Sequence, residues 1–206
     1  TRSCFMMGRS AGGGSCSTEG IGSGCEGTPG CGQGGSWIGV YNSSGVLVSK
    51  GVIGSGIAHA LYYGVGVCDA TGDIVAADAI ANKVDIFAPE GTTPIKEING
   101  AEAPGGPFGS LEGADIAIDQ SNCNILVTDV KAHGVVDEFN ANGKFVDQIT
   151  HTPAFSASEP SGIAVDNSST ASKGRVYITS GKTGGQVFAY GPLGPKLALT
   201  PTVTPA

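Results

Sequence analysis

Helix-forming text is nearly absent from this chain. No apolar series at i, i+3, i+4 and i+7 survives its 35 glycines, and a glycine inside a helix costs about 1 kcal/mol against alanine. Long hydrophobic runs are missing too. No stretch of about 18 uninterrupted apolar residues occurs, so no membrane insertion by a spanning helix is expected. Charge is scarce, at 14% of residues, and the 11 basic residues are scattered through a chain of net charge −7. Nucleic acids are held by clustered cations that neutralise phosphates, so no nucleic-acid partner is expected. An anionic membrane surface is disfavoured on the same ground. The opening, Thr1 to Ser10, carries only Cys4-Phe5-Met6-Met7 as an apolar core, far too short for a signal peptide. It reads as the start of a mature form, a fragment or a cytosolic protein.

What is present points to a folded domain. Hydrophobic residues make up 40% of 206, with a mean hydropathy of +0.09, which argues against wholesale disorder and is enough for a core. Three zones differ in composition. Residues 1–36 hold 12 of the glycines and four of the six cysteines, and read as a disulfide segment or a degenerate first repeat. Residues 37–199 alternate short β-rich runs with Gly, Asn, Asp and Ser turns. Residues 192–206 are Pro/Thr-rich and read as a final strand, such as Lys196 to Val203, followed by an extended linker, with 200–206 as the linker or tail. The chain is all-β.

A repeat organises the middle zone. Val65-Gly66-Val67-Cys68-Asp69, Ile116-Ala117-Ile118-Asp119 and Ile163-Ala164-Val165-Asp166 align as first strands. Asp73 to Asp78, Asn124 to Asp129 and Arg175 to Ser180 follow as second strands. Third strands end on an aromatic: Val84-Asp85-Ile86-Phe87, Val136-Asp137-Glu138-Phe139 and Val187-Phe188-Ala189-Tyr190. Gly91 to Ile98 and Gly143 to Ile149 supply a turn and a fourth strand. Four short antiparallel strands in about 50 residues describe a propeller blade, which cannot bury its faces without neighbours. Upstream, Trp37 to Tyr41 and Val46 to Val48 repeat the third and fourth strands, with Tyr41 in register with Phe87. A first strand is expected near Gly20-Ile21-Gly22, and no second strand is recognisable there.

The pattern G-I-A-V-D, turn, N-I-x-V-x-D, then V-x-x-F resembles the NHL repeats of a β-propeller family. Gly162 to Tyr190, Gly113 to Gly143 and Gly64 to Gly91 carry the match. The resemblance implies a β-propeller, or a propeller arc, of about four NHL-like blades behind a Gly/Cys-rich N-terminal segment. Closed rings of this family usually have about six blades, so a small ring, a fragment, or an arc completed by another chain all remain open.

Chemistry is harder to find. A shared metal site would place His at equivalent repeat positions, but His59, His133 and His151 are out of register. Asp69, Asp119, Asp166, Asp78 and Asp129 close strands, where Asp commonly caps a turn through its own backbone. No EF-hand or glycine-aspartate nonapeptide loop is visible. Gly8-Arg9-Ser10-Ala11-Gly12 matches a nucleophile-elbow string, but Gly12-Gly13-Gly14 is a poor helix start. Gly51 to Gly56 echoes a phosphate loop without its lysine and reads as an inter-blade connection. Trp37 and Tyr62-Tyr63 read as packing between blades rather than an aromatic binding spot. No catalytic residue, cofactor or metal is expected.

The cysteines carry more information. Cys4, Cys16, Cys25 and Cys31 contain no C-x-x-C pair, so zinc is weak and disulfides in a loop-rich segment are favoured. Cys68 and Cys123 lie in neighbouring repeats and are open to a mutual bridge, pairing with the N-terminal set, or remaining free. Asn42 and Asn167 satisfy the glycosylation sequon within turns. Together these favour an extracellular location, secreted or at the cell surface.

Three functions follow. The first is a non-enzymatic structural subunit, a homo-oligomer or polymer such as a filament or surface layer, assembling through exposed strand edges and terminal arms. The second is a recognition module for a protein or glycan. The third, a metal-dependent propeller hydrolase or lyase, needs converging acids or histidines that the pattern does not supply.

Overall fold

The computed structural model describes residues 4–9, 36–42, 44–54, 57, 60–130, 134–152, 162–180, 186–191 and 202–204. These residues form only strands, turns and loops, in four antiparallel sheets. Sheet I joins β1 (Cys4–Arg9), β2 (Ser36–Tyr41) and β3 (Leu47–Ile53). Sheet II joins β4 (Tyr62–Val67), β5 (Ile74–Asp78), β6 (Lys83–Phe87) and β7 (Lys96–Ile98). Sheet III joins β8 (Ile116–Asp119), β9 (Asn124–Asp129), β10 (Val135–Phe139) and β11 (Phe145–Ile149). Sheet IV joins β12 (Ile163–Val165), β13 (Val176–Ser180), β14 (Gln186–Tyr190) and β15 (Thr202–Thr204).

The expected repeat is present, with four differences in detail. Sheet I does take a strand from the Gly/Cys-rich start: β1 pairs along its whole length with β2, Cys4 opposite Tyr41. The chain around Gly20-Ile21-Gly22 lies outside the described residues. Gly51 to Ile53, read as connection, belong to β3, because Ile53 pairs with Ile38 and is fully buried beside it. The last strand falls at 202–204, inside the zone read as tail, where it pairs antiparallel with β14, Val203 opposite Phe188. The first strand of sheet II begins earlier than its Val65 alignment, at Tyr62, through a bulge at Gly64.

Each sheet adjoins the next through its first strand, β1 by β4, β4 by β8 and β8 by β12. The approach of β4 to β8 demands glycine. A Cβ on Gly64, whose φ is +56°, would lie 2.6 Å from the Ile116 backbone nitrogen. One on Gly66 would lie 2.6 Å from the Ile118 side chain. Three apolar clusters fill the spaces between sheets. Ile38, Ile53, Tyr62 and Phe87 lie between I and II. Val75, Val84, Ile116, Ile125 and Phe139 lie between II and III, and Leu126, Val136, Val176, Ile178 and Tyr190 between III and IV.

Candidate functional site

The register assigns every side chain in the array a face. Val67 pairs with Ile74, Ile118 with Ile125 and Val165 with Val176, so these three pairs are equivalent. Alternation then sets one face of each sheet toward the preceding sheet and the other toward the following one. On the preceding-sheet face each third strand carries an aromatic plug. Phe87 and Phe139 are fully buried, and Tyr190 is 1% exposed. Phe139 stacks edge-on against Phe108 and Phe145, and Phe87 against Tyr62. Sheet I offers the same position as Tyr41, opposite Cys4 as Phe87 is opposite Ile74. Among the described residues no sheet precedes it, and Tyr41 is partly exposed.

The following-sheet face shows the same asymmetry at the other end. Val84, Val136 and Val187 are equivalent; the first two are 0% exposed and the third 44%. Around Val187, Ala164 pairs with Tyr177 and Tyr177 with Ala189, and Ala164 and Thr179 are exposed. Their counterparts Gly66, Val75 and Ile86 in sheet II and Ala117, Leu126 and Glu138 in sheet III all lie under a neighbour. Sheet IV thus bares a face of small, apolar and β-branched residues that its siblings cover.

Polar groups fasten the internal junctions. The Gln120 amide donates to Val67 O at 2.6 Å and accepts from Asp69 N at 2.8 Å, tying sheet III to sheet II. At the equivalent position of sheet IV, the Asn167 amide donates to Ile118 O at 2.9 Å and accepts from Gln120 N at 2.8 Å. Asp115 accepts from Ile163 N and Ile116 N, again linking III to IV; burial raises its pKa, and those two bonds oppose the rise. Neither amide clip was legible in advance, because an amide after a strand-ending Asp looks like an ordinary turn residue.

Of the strand-ending aspartates, Asp78, Asp119 and Asp166 cap their own turns as expected, whereas Asp129 reaches a loop about 20 residues earlier in the chain. Asp78 Oδ1 accepts from Leu61, Ile80 and Ala81 N, and Asp129 accepts from Gly109 and Ser110 N. Asp119 and Asp166 each accept from the backbone two residues on. Asp85 is different. It is fully buried at the I–II junction, and neither its oxygens nor the nearby Tyr62 hydroxyl makes a hydrogen bond of normal geometry. Burial pushes its carboxyl up to about 6 against the pull of Lys83, whose Nζ lies 3.4 Å away. Burial, then the charges of Asp85 and Asp78, raise the Tyr62 hydroxyl as well.

The other expected site residues fall apart from one another. Cys68 and Cys123 form a disulfide with Cα atoms 5.4 Å apart, joining the turns of sheets II and III. Cys4 stands at the start of β1, and Cys16, Cys25 and Cys31 lie outside the described residues. Asn42 Oδ1 accepts from Ser44 N and Val46 N in its own turn, whereas Asn167 is the amide clip. His151 stands beside Thr150, its carbonyl accepting from the Tyr190 hydroxyl at 2.7 Å; His59, His133 and Ser10 of the elbow string lie outside the described residues. Among the described residues no three His, Cys, Asp or Glu side chains gather as a metal cluster, and no helix long and apolar enough to cross a membrane is present. A shallow cleft of about 230 Å³ opens between Asn99, Glu102 and Lys144; hydrogen bonding to Lys144 holds the Glu102 carboxyl below its usual range.

No family model and no curated protein sequence matches the chain. Among solved structures it is similar to a Bacteroides uniformis protein named as a candidate 6-phosphogluconolactonase. The TM-score is 0.54 at 12% identity, over 82% of this chain and 52% of that one. Apo AztD from Citrobacter koseri gives a TM-score of 0.48 at 10% identity, over 78% of this chain and 39% of that one. Hydrazine synthase from Kuenenia stuttgartiensis gives 0.31 at 13%, over 75% and 60%. The chain spans about half the length of the first of these. At such identity the first likeness speaks for fold alone: the chain is an all-β, propeller-like array of antiparallel sheets.

Proposed function

We propose that this protein is an extracellular, non-enzymatic structural subunit, an arc of four NHL-like blades that self-assembles with further copies. One observation carries the reading. The face of sheet IV that includes Val187 is bare, while the equivalent faces of sheets II and III are buried. A sheet that repeats its siblings' packing pattern and lacks their neighbour has a partner surface to offer. The outer strands β3, β7, β11 and β15 have no further strand paired to them among the described residues, and such edges template strand pairing. The Cys68–Cys123 disulfide is compatible with an oxidising compartment, which supports the extracellular assignment.

The test is the mass in solution, by light scattering after size exclusion, with and without reductant. Assembly predicts a mass at multiples of 20.4 kDa. A single species of 20.4 kDa in both conditions would sink the structural reading and leave a binding module for a protein or glycan.

A further inference from the structure

We infer that the joint between copies is head-to-tail: the bare face of sheet IV receives the Tyr41 face of sheet I from a second copy. This rests on the self-assembly reading and names its partner surface. The argument is continuity with the three junctions inside the chain. Each of those joins two unlike halves. One half is a following-sheet face centred on Val84 or Val136, or on Ile38 in sheet I, which is likewise fully buried. The other half is a preceding-sheet face bearing an aromatic plug, Phe87, Phe139 or Tyr190.

Among the described residues the array leaves one spare half of each kind. Sheet IV has a following-sheet face with no plug delivered to it, and Val187 is left 44% exposed. Sheet I has a plug, Tyr41, that no described sheet receives, and the residue is partly exposed. The two halves are complementary in kind, and among the described residues none of the stronger strand contacts joins sheet I to sheet IV, so a second copy can bring them together. A pairing of sheet IV with sheet IV would set two plug-less faces together. A pairing of sheet I with sheet I would set two plugs together. Unlike halves give a heterologous contact, which closes a ring when the rotation allows and otherwise extends into a filament.

The experiment uses two full-length variants, Val187→Asp and Tyr41→Asp, each spoiling one half. Far-UV circular dichroism and a melting curve check that both keep the wild-type fold. Light scattering then reads three samples at concentrations where the wild type is assembled. Each variant alone is expected at 20.4 kDa. Their equimolar mixture is expected at twice that mass and no larger, because only one sound joint can form. Tyr41→Phe, which restores the residue standing at 87 and 139, is expected to assemble as the wild type does.

Other outcomes overturn the inference separately. If Tyr41→Asp stays assembled while Val187→Asp falls to monomer, the joint is sheet IV on sheet IV. The reverse pattern makes it sheet I on sheet I. Two folded monomers whose mixture stays monomeric, or two variants that both remain assembled, place the joint elsewhere and reject the head-to-tail geometry while self-assembly stands. A wild type that is itself monomeric rejects the self-assembly reading beneath it.

Discussion

The II–III junction and the far side of sheet IV are built from the same repeat and meet opposite fates. At the junction, Val84 and Phe139 are fully enclosed, and β5, β9 and β10 are buried almost throughout, on both their faces. On sheet IV the equivalent valine is nearly half exposed, and Ala164 and Thr179 look outward. Residue type does not account for the contrast, since Val stands at 84, 136 and 187 alike. The neighbour decides. A blade-like sheet acquires its second buried face only from the next sheet in line, so a bare terminal face marks where the array continues or is interrupted.

The sharpest way to break the comparison is to empty the junction. Phe139→Ala is expected to cost about 3 to 5 kcal/mol, through lost transfer energy and the cavity left beside Phe108 and Phe145. Val187→Ala in the monomeric state is expected to stay within about 0.5 kcal/mol, the range of a surface change. Urea unfolding of the two variants under conditions that prevent assembly gives both values. Equal losses would mean that sheet IV is covered after all. Severing the disulfide comes next. Cys68→Ser with Cys123→Ser frees two residues 55 apart in sequence, and the closure entropy of such a loop is about 4 kcal/mol at most. The loss should appear equally when the wild type is unfolded in reductant. A negligible change would show that the junction holds sheets II and III together without the bridge.

These contrasts were only partly legible in the chain. The three central repeats could be read because each closes its third strand on an aromatic and its first or second strand on Asp. Strand β1 was not, since Cys-Phe-Met-Met-Gly-Arg lacks the β-branched alternation and the Gly/Cys-rich text separates it from its partner β2. A final strand was legible near the C-terminal end but its bounds were not, since Pro201 and Pro205 on either side of Thr202–Thr204 read as extended linker. Asp85 was invisible as a buried acid, because Val-Asp-Ile-Phe scans as one face in and one face out. That rule fails for a sheet covered on both sides. Tertiary context, absent from any window of sequence, decides each of these.

Asp85 offers a comparison between junctions that pH can read. Burial pushes its carboxyl up to about 6 in the fold, from an ordinary value of 3.8. Between those values the folded chain holds a proton that the unfolded chain has released, so stability falls as pH rises through the window and is level above it. The difference corresponds to about 3 kcal/mol. Burial raises Asp115 and Glu138 in the same direction, so the measurement is the wild type against Asp85→Asn. The variant should lose most of the slope between pH 4 and 6 in chemical unfolding. An unchanged slope would mean that Lys83 already compensates its charge, against the opposing charges of Asp78 and Glu97.

The smallest effect separates two roles for one side chain. Asn167 is both the clip that ties sheet IV to sheet III and the first residue of a sequon completed by Ser169. Asn167→Ala removes two hydrogen bonds and is expected to cost about 1 to 2 kcal/mol, whereas Ser169→Ala destroys the sequon and leaves both bonds in place. Protein made in a bacterial host, without glycans, should show a loss for the first variant and none beyond about 0.5 kcal/mol for the second. The same pair made in a secretory host reads the other role: a glycan on Asn167 would disappear from the mass of both variants alike. Because Nδ2 donates to Ile118 O at 2.9 Å, a sugar there has to displace or crowd that bond. A chain whose sheets III and IV are clipped through Asn167 should therefore carry sugar at Asn42 in preference, where the carbonyl oxygen caps a turn of its own. Full occupancy at Asn167 with undiminished stability would show that the III–IV junction does not depend on the clip, and would move the difference between covered and bare sheets onto packing alone.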